Sequence, residues 1–185
     1  IDVQQLIALL RELGVGITHP AKGTYHFDPC HLNTAAIDTE MLKKHATKIR
    51  GSVMILGPLL ARFGKVTIPR PGGDRIGRRR LDTHLIGMLK LGATCSYNDK
   101  EDTYLVEATA LKGNYILLNE ASVTGTANLI MAASLAEGTT TLYNAACEPY
   151  IQQLCKMLVQ MGAKIEGIGS NLLTIHGVQE LQGTT

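Results

Sequence analysis

Leu85-Ile86-Gly87-Met88-Leu89-Lys90-Leu91-Gly92, continued by Ala93-Thr94-Cys95-Ser96, carries the pattern from which the fold follows. Apolar residues at helical spacing, closed by a glycine, predict a helix that ends at Gly92, and the next four residues predict a strand. The same succession recurs at residues 6–18 and 154–166. Each copy is followed by a turn and a second predicted strand, at residues 24–27, 103–108 and 172–176. The chain therefore contains an internal repeat, which is typical of folds built from one recurring unit.

A second kind of predicted helix lies between these copies and is apolar nearly all round. It covers residues 52–63 and 126–136, and it leads into predicted strands at residues 65–68 and 139–143. A helix without a polar face belongs in the interior, so we expect helices inside and sheets outside. The fold class is then α/β with repeated β-α-β-α-β-β units, and residues 1–185 form a single domain. The opening helix and strand of the first copy would lie before Ile1.

The composition is that of a soluble globular protein with an aliphatic core. Of the 185 residues, 45% are hydrophobic and 18% are charged, with two Phe, six Tyr and no Trp. Scarce aromatics and a formal net charge of only +2 argue against a surface that stacks on nucleic-acid bases. Seven of the 18 basic residues lie between Arg62 and Arg80 beside a single acid, Asp74, which predicts a local anion site.

The histidines and cysteines show none of the spacings that hold metal ions, so we expect no metal and no cofactor. The four cysteines form no Cys-x-x-Cys pair, which predicts reduced, mostly buried thiols in a cytoplasmic protein. No apolar run reaches the length of a membrane span and no signal peptide is visible. We therefore expect no membrane partner.

The segment most informative about chemistry is Pro71-Gly72-Gly73-Asp74-Arg75-Ile76-Gly77-Arg78-Arg79-Arg80-Leu81-Asp82. Two adjacent glycines let backbone N–H groups converge on a small target, and four arginines offer planar donor forks for phosphate or carboxylate. The pattern favours a small, highly anionic substrate that needs a proton moved. The alternatives are a solvated basic loop and a nucleic-acid-binding module on the patch from Arg70 to Arg80.

Further motifs accompany this segment: Arg50-Gly51-Ser52, Leu56-Gly57-Pro58-Leu59-Leu60-Ala61-Arg62-Phe63-Gly64, Ser122-Val123-Thr124-Gly125-Thr126, Leu135-Ala136-Glu137-Gly138-Thr139, Asn144-Ala145-Ala146, Glu148-Pro149 and Met161-Gly162-Ala163-Lys164-Ile165. With them, essentially the whole chain resembles the enolpyruvyl transferase family. The resemblance implies one domain of the inside-out α/β barrel of these enzymes, the domain with the mobile catalytic loop. The active site would lie in the cleft toward a second domain, which is missing from these 185 residues.

The resemblance also implies a reaction and its two substrates. The enolpyruvyl group of phosphoenolpyruvate would move to the 3-hydroxyl of UDP-N-acetylglucosamine by addition and elimination, with release of phosphate. This is the first committed step of peptidoglycan synthesis, and so serves cell-wall growth, cell shape and division. The segments 71–74 and 122–126 favour this acceptor. A related transferase that uses shikimate phosphate, and a phosphate-end cyclase built from the same repeat, stay open.

Asp74 stands where many members of the family carry a loop cysteine, and the implied role is general acid toward the methylene carbon of phosphoenolpyruvate. The neighbouring arginines favour the ionised carboxylate, whereas the charges of a bound substrate would neutralise them and return the proton. In relatives the antibiotic fosfomycin alkylates the cysteine, so the aspartate implies fosfomycin resistance. The alternative is a loop acid that only pairs with arginine.

Other residues are assigned to the nucleotide by the same resemblance. Arg79 matches an arginine that grips phosphate, and Arg50 contacts the nucleotide beside a helix predicted to begin near Ser52. The remaining candidates are Arg80, Leu81, Asp82, Thr83, Ser122, Val123 and Thr124.

Four positions near this group depart from the family pattern. Arg80 replaces a proline, Thr83 a leucine and Thr124 a glycine, while Glu120, where relatives often have lysine, is given no phosphate role. The structural alternatives are a surface arginine for Arg79, a cap-region arginine for Arg50 and a simple helix cap for Ser122.

Overall fold

Helices and strands alternate along the chain largely as the repeat predicts. A computed structural model describes residues 2–33, 40–72 and 81–185. Its α-helices are α1 (Asp2–Glu12), α2 (Glu40–Ala46), α3 (Leu56–Phe63), α4 (Asp82–Lys90), α5 (Val123–Ala133) and α6 (Pro149–Gln160). Its strands are β1 (Gly16–Ala21), β2 (Thr24–Asp28), β3 (Lys65–Pro69), β4 (Thr94–Asn98), β5 (Thr103–Glu107), β6 (Tyr115–Leu117), β7 (Thr139–Tyr143), β8 (Lys164–Glu166) and β9 (Leu172–His176).

The order of strands in the sheets displays the repeat. β3, β5 and β4 pair in that order, and β7, β9 and β8 do the same, with β6 added parallel to β7. β9 is antiparallel to both of its neighbours, and β1 and β2 form an antiparallel pair. Residues 115–176 thus form one β6-α5-β7-α6-β8-β9 unit, which confirms the predicted fold class.

The helix α5 lies inside this unit and the sheet lies outside, whereas α6 buries only one face, through Ile151, Cys155 and Leu158. α5 is buried along most of its length, and Leu129 and Ile130 are inaccessible to solvent. Burial of each such side chain contributes about 1.5–3 kcal/mol to stability. The face of the four-stranded sheet that faces the interior is apolar and buried, through Ile116, Leu142, Leu173 and Ile175. Large side chains on the other face are exposed, namely Tyr115, Leu117, Tyr143 and Leu172.

The glycines that end the predicted helices adopt the left-handed backbone conformation that the prediction requires. At Gly64, φ is 71° and the backbone N–H donates to the carbonyl of Leu60 at 2.8 Å. A side chain is strained at such a φ, so glycine is favoured there. Positive φ is also found at Gly14, Gly92, Gly138 and Gly162.

The buried helix predicted over residues 52–63 is shorter than expected. Arg50–Ile55 form a 3-10 helix, and α3 begins only at Leu56. Pro58 explains the break, because its ring would clash with the carbonyl of residue 54 if the α-helix continued toward Ser52. Starting at Leu56 puts Pro58 in the first turn, where its missing N–H has no partner within the helix.

By its internal contacts the described chain divides into two compact units. The first unit contains α1, β1, β2 and α2, and within it α1 packs on α2. The second unit contains α3, α4, α5, α6 and β6 to β9, and within it α3 and α4 both pack on α5. The division passes through β3, β4 and β5. In the second unit, therefore, α5 is the helix around which the others are arranged.

Candidate functional site

The residues predicted to form the site fall in three groups. Asp74, Arg79 and Arg80 lie outside the described residues. Arg50 opens the 3-10 helix and belongs to the first unit. The other candidates belong to the second unit and lie where α4 and α5 begin: Leu81, Asp82, Thr83, Ser122, Val123 and Thr124.

The N-terminus of α5 is capped by Ser122. Its backbone is extended, with φ −73° and ψ 120°, and its Oγ accepts a hydrogen bond from the backbone N–H of Gly125 at 3.2 Å. Helix geometry leaves the N–H groups of Val123 and Thr124 without partners inside the helix. These N–H groups and the positive end of the helix dipole suit an anion. The cap is the structural alternative to a ligand-binding role for Ser122, and the hydroxyl proton of Ser122 can still donate to a ligand.

The start of α4 lies beside the start of α5. The Oγ1 of Thr83 donates to Oε1 of Glu120 at 2.9 Å, just before the α5 cap. Gly125 faces Thr83 so closely that a β-carbon on Gly125 would come within 2.8 Å of the Thr83 methyl. Leu81 is only 7% exposed and anchors the turn that leads into α4. The structure therefore brings the two predicted segments together, with the acid of Glu120 at their edge.

Beneath these two helix ends lies a buried polar network that the sequence did not predict. His84 contacts Thr124 through Nε2, at 3.2 Å from Oγ1, and Asn128 through Nδ1, at 2.9 Å from Nδ2. Asn128 also accepts a hydrogen bond through Oδ1 from the backbone N–H of Gly57, at 2.8 Å. His84 is 3% exposed and Asn128 is fully buried. The network joins the first turns of α3 and α4 to α5.

One sequence signal could have revealed this network. Asn128 interrupts a helix that is otherwise apolar nearly all round, and a buried amide needs hydrogen-bond partners. Which partners it finds depends on contacts 44 and 71 residues away in the chain. Periodicity within one helix carries no information about such distant contacts.

The surroundings of Arg50 differ from the prediction. The α-helix expected beside it begins at Leu56 instead, and the N–H of Gly57 in its first turn is directed at Asn128. The structure around Arg50 is held by Ser52, whose Oγ donates to the carbonyls of Ala46 at 2.7 Å and Ile49 at 2.8 Å. The helix N-terminus that motivated an anion site at Arg50 is therefore used internally.

Gly72, at the start of the predicted loop, is required for close packing. A β-carbon at this position would overlap with the backbone of Thr47 in the same unit. Gly72 is therefore needed for a second reason besides the predicted flexibility, because no side chain fits at this position.

The cysteines are less buried than predicted. None of the four, all within the described residues, forms a disulfide, but Cys30 and Cys147 are exposed, Cys95 is partly buried and only Cys155 is fully buried. Burial raises the pKa of Cys155 to about 11 and also raises the pKa of Cys95. Cys30 and Cys147 lie on turns near the surface rather than on a buried helix face, which explains the difference.

Two other kinds of feature are absent from residues 2–33, 40–72 and 81–185. No group of three or more His, Cys, Asp or Glu residues in these ranges could hold a metal ion. No helix in the same ranges is both long enough and apolar enough to cross a membrane.

Comparison with known proteins identifies the family. The family model for EPSP synthase (3-phosphoshikimate 1-carboxyvinyltransferase) matches residues 1–185. The chain belongs to the EPSP synthase family. This match confirms the resemblance to enolpyruvyl transferases that the sequence motifs indicated.

Members of the family with similar sequences carry one name. UDP-N-acetylglucosamine 1-carboxyvinyltransferase from Bacteroides fragilis is 56% identical over 184 residues, which cover 100% of this chain and 42% of the relative. The enzyme of the same name from Treponema pallidum is 44% identical over 184 residues, with the same coverage. The chain thus spans less than half the length of these curated relatives.

Solved structures of the family share the fold. The enolpyruvyl transferase NikO from Streptomyces tendae matches with a TM-score of 0.78 and 19% identity, over 98% of this chain and 42% of its own. EPSP synthase from Acinetobacter baumannii matches with a TM-score of 0.72 and 21% identity, over 99% and 40%. The architecture is therefore that of one domain of the two-domain enolpyruvyl transferase fold.

Proposed function

We propose that this chain is the loop-bearing domain of an enzyme that transfers the enolpyruvyl group of phosphoenolpyruvate to the 3-hydroxyl of UDP-N-acetylglucosamine. The observation that carries the proposal is the identity of 56% over the whole chain to the Bacteroides fragilis enzyme of that name. The reaction is the first committed step of peptidoglycan synthesis. Residues 1–185 act as a single domain in this proposal, and a second domain of the same protein closes the cleft.

The adjoining N-termini of α4 and α5 are the proposed position of the nucleotide. The N–H groups of Val123 and Thr124 and the hydroxyl of Ser122 bind the diphosphate, with charge-assisted hydrogen bonds from Arg79. Leu81, Asp82 and Thr83 line the pocket, and Arg80 and Arg50 are further residues proposed to contact the nucleotide. The carboxylate of Glu120 accepts a hydrogen bond from Thr83 at the edge of this pocket.

Asp74 is the proposed general acid. In the addition step, the 3-hydroxyl oxygen bonds to C2 of phosphoenolpyruvate while the carboxyl of Asp74 gives its proton to C3, and the hydroxyl proton passes to a base of the second domain. In the elimination step, C3 returns a proton to the carboxylate of Asp74 and the bond from C2 to the phosphate oxygen breaks. The products are the enol ether and inorganic phosphate.

The acceptor separates this proposal from its nearest alternative. The description of the family model names 3-phosphoshikimate, and the relatives of similar sequence name UDP-N-acetylglucosamine. The second acceptor is favoured because it belongs to the proteins with the higher identity. A nucleic-acid-binding role for the patch from Arg70 to Arg80 is not favoured, because the family is one of transferases.

Phosphate release by the full-length protein is the experiment that tests the function. With phosphoenolpyruvate present, we expect release with UDP-N-acetylglucosamine and none with shikimate 3-phosphate, and the opposite result would reverse the assignment. Asp74→Asn keeps the shape of the carboxyl without a transferable proton, so its turnover should fall by at least about a hundredfold. The 185-residue chain alone should bind the sugar nucleotide weakly and release no phosphate, since it lacks the second domain.

Location in the cytoplasm, a part in cell shape and division, and fosfomycin resistance stay predictions. Asp74→Cys tests the resistance directly, because this variant should be alkylated by fosfomycin.

A further inference from the structure

The hydrogen bonds described for the buried network beneath the proposed nucleotide site agree on one arrangement of hydrogen atoms. A backbone N–H can only donate, so the group of Asn128 that faces Gly57 at 2.8 Å is the amide oxygen. The NH2 group of Asn128 is therefore the one that faces Nδ1 of His84, at 2.9 Å.

The orientation of Asn128 in turn determines the tautomer of His84. An NH2 group donates, so Nδ1 must accept and carries no proton. The ring is then the neutral tautomer with its proton on Nε2, which donates to Oγ1 of Thr124 at 3.2 Å. Because Oγ1 accepts from His84, the hydroxyl proton of Thr124 points away from the ring.

The position of Thr124 gives this orientation a functional meaning. It is the second residue of α5, beside the N–H groups that bind an anion in the proposed function, and its side chain is partly exposed whereas His84 and Asn128 are buried. If the side chain at this position served only to fill space, a valine of the same shape would do so, and no hydrogen bond from a buried histidine would be needed. The hydroxyl proton that is turned away from His84 therefore belongs on the ligand side.

We propose that His84 and Asn128 are positioning residues that hold the Thr124 hydroxyl as an additional hydrogen-bond donor to the diphosphate of the substrate. The inference rests on the proposed function, because it places the sugar nucleotide at the start of α5. The donor adds to the backbone N–H groups at the start of α5. It should affect binding of the nucleotide and leave phosphoenolpyruvate unaffected.

A matched pair of variants in the full-length enzyme tests the donor. Thr124→Val removes the hydroxyl and keeps the shape, and we expect KM for UDP-N-acetylglucosamine to rise roughly ten- to a hundredfold, as for a lost hydrogen bond to a charged group. Its kcat and its KM for phosphoenolpyruvate should stay within about twofold of the wild-type values, because the lost hydrogen bond stabilises the ground state and the transition state equally. Thr124→Ser keeps the hydroxyl, so its KM for UDP-N-acetylglucosamine should be at least about fivefold lower than that of Thr124→Val. Both KM values are measured well below the melting temperatures of the two variants, because Thr124→Val removes the Oγ1 that accepts from Nε2 of His84.

Two further measurements test the role of His84. The 15N NMR signals of the wild-type His84 ring should be those of a neutral imidazole protonated at Nε2. His84→Phe should raise KM for the sugar nucleotide in the wild type and have no further effect in Thr124→Val, because residues that act through one contact are not additive. If His84→Phe does not fold, the NMR signals and the Thr124 pair still decide the matter.

The outcomes are distinct. A wild-type enzyme that does not turn over UDP-N-acetylglucosamine overturns the proposed function, and the inference with it. An active wild type with equal KM values in the Val and Ser variants, a proton on Nδ1, or additive effects of His84 and Thr124 overturns the inference alone.

Discussion

Replacement of Gly57 by alanine is the most direct test of how α3 packs on α5. A β-carbon at Gly57 would lie 2.8 Å from Oδ1 and 3.1 Å from the carbonyl carbon of Asn128, and closer still to the carbonyl oxygen. That carbonyl belongs to the backbone of a buried helix, which cannot shift without disturbing its other contacts. Such overpacking costs about 1–3 kcal/mol. Loss of the hydrogen bond from Gly57 to Asn128 adds about 1–3 kcal/mol, because the amide oxygen stays buried.

The higher helix propensity of alanine offsets about 1 kcal/mol of this loss. We therefore expect the free energy of unfolding to fall by about 3 kcal/mol, which lowers the melting temperature by roughly 6–12 °C for a domain of this size. Scanning calorimetry of the full-length protein measures the change. Gly51→Ala is the matched control, because the nearest atom to its β-carbon is Cδ1 of Ile49 at 4.0 Å. If both variants melt at the same temperature, the packing argument is wrong.

Three further predictions concern reactive side chains of the full-length protein. Arg79→Ala should lower kcat/KM by roughly thirty- to a thousandfold, because about 2–4 kcal/mol of transition-state stabilisation is lost. Arg78→Ala should have a smaller effect, and equal, small effects of the two variants in steady-state kinetics would show that the arginines form a solvated patch. Asp74→Cys should keep activity and become alkylated by fosfomycin, whereas the Asp74 protein gives no adduct in mass spectrometry, because a carboxylate is a far weaker nucleophile than a thiolate. Iodoacetamide at pH 8 should label Cys147 rapidly and Cys155 only after unfolding, because Cys155 is buried and its pKa is about 11. If peptide mapping of the native protein finds Cys147 and Cys155 labelled equally, Cys155 is not buried as described.

The repeated architecture could be predicted from the sequence because its signals are local. Apolar spacing placed the helices within a few residues, and glycines such as Gly64 and Gly162 marked where they end. Strand β9 was predicted at its observed bounds. The strand β6 and the helix α2 were missed, since three and seven residues are too short for a periodic pattern to stand out.

Family motifs in the sequence selected the candidate site residues, and their roles stay predictions. Ser122 caps α5, as the structural alternative for this residue expects, and its contact with the nucleotide is a proposal. The partners of Asn128 and the hydrogen bond between Thr83 and Glu120 were not predictable, because they depend on how separate helices pack. A polar residue in an apolar helix indicates that a partner exists without saying which one.

The position of β9 within its sheet has a consequence for synthesis of the chain on the ribosome. β9 is made last of its unit, yet it lies between β7 and β8 and is the strand that β8 pairs with in the described sheet. Until residues 172–176 leave the ribosome, one edge of β7 stays open and β8 has no template, so the sheet cannot close. Open strand edges promote aggregation of incomplete chains. Incomplete chains that end shortly before Leu172 should therefore aggregate more than incomplete chains that end just after His176, and the same reasoning applies to β5 between β3 and β4.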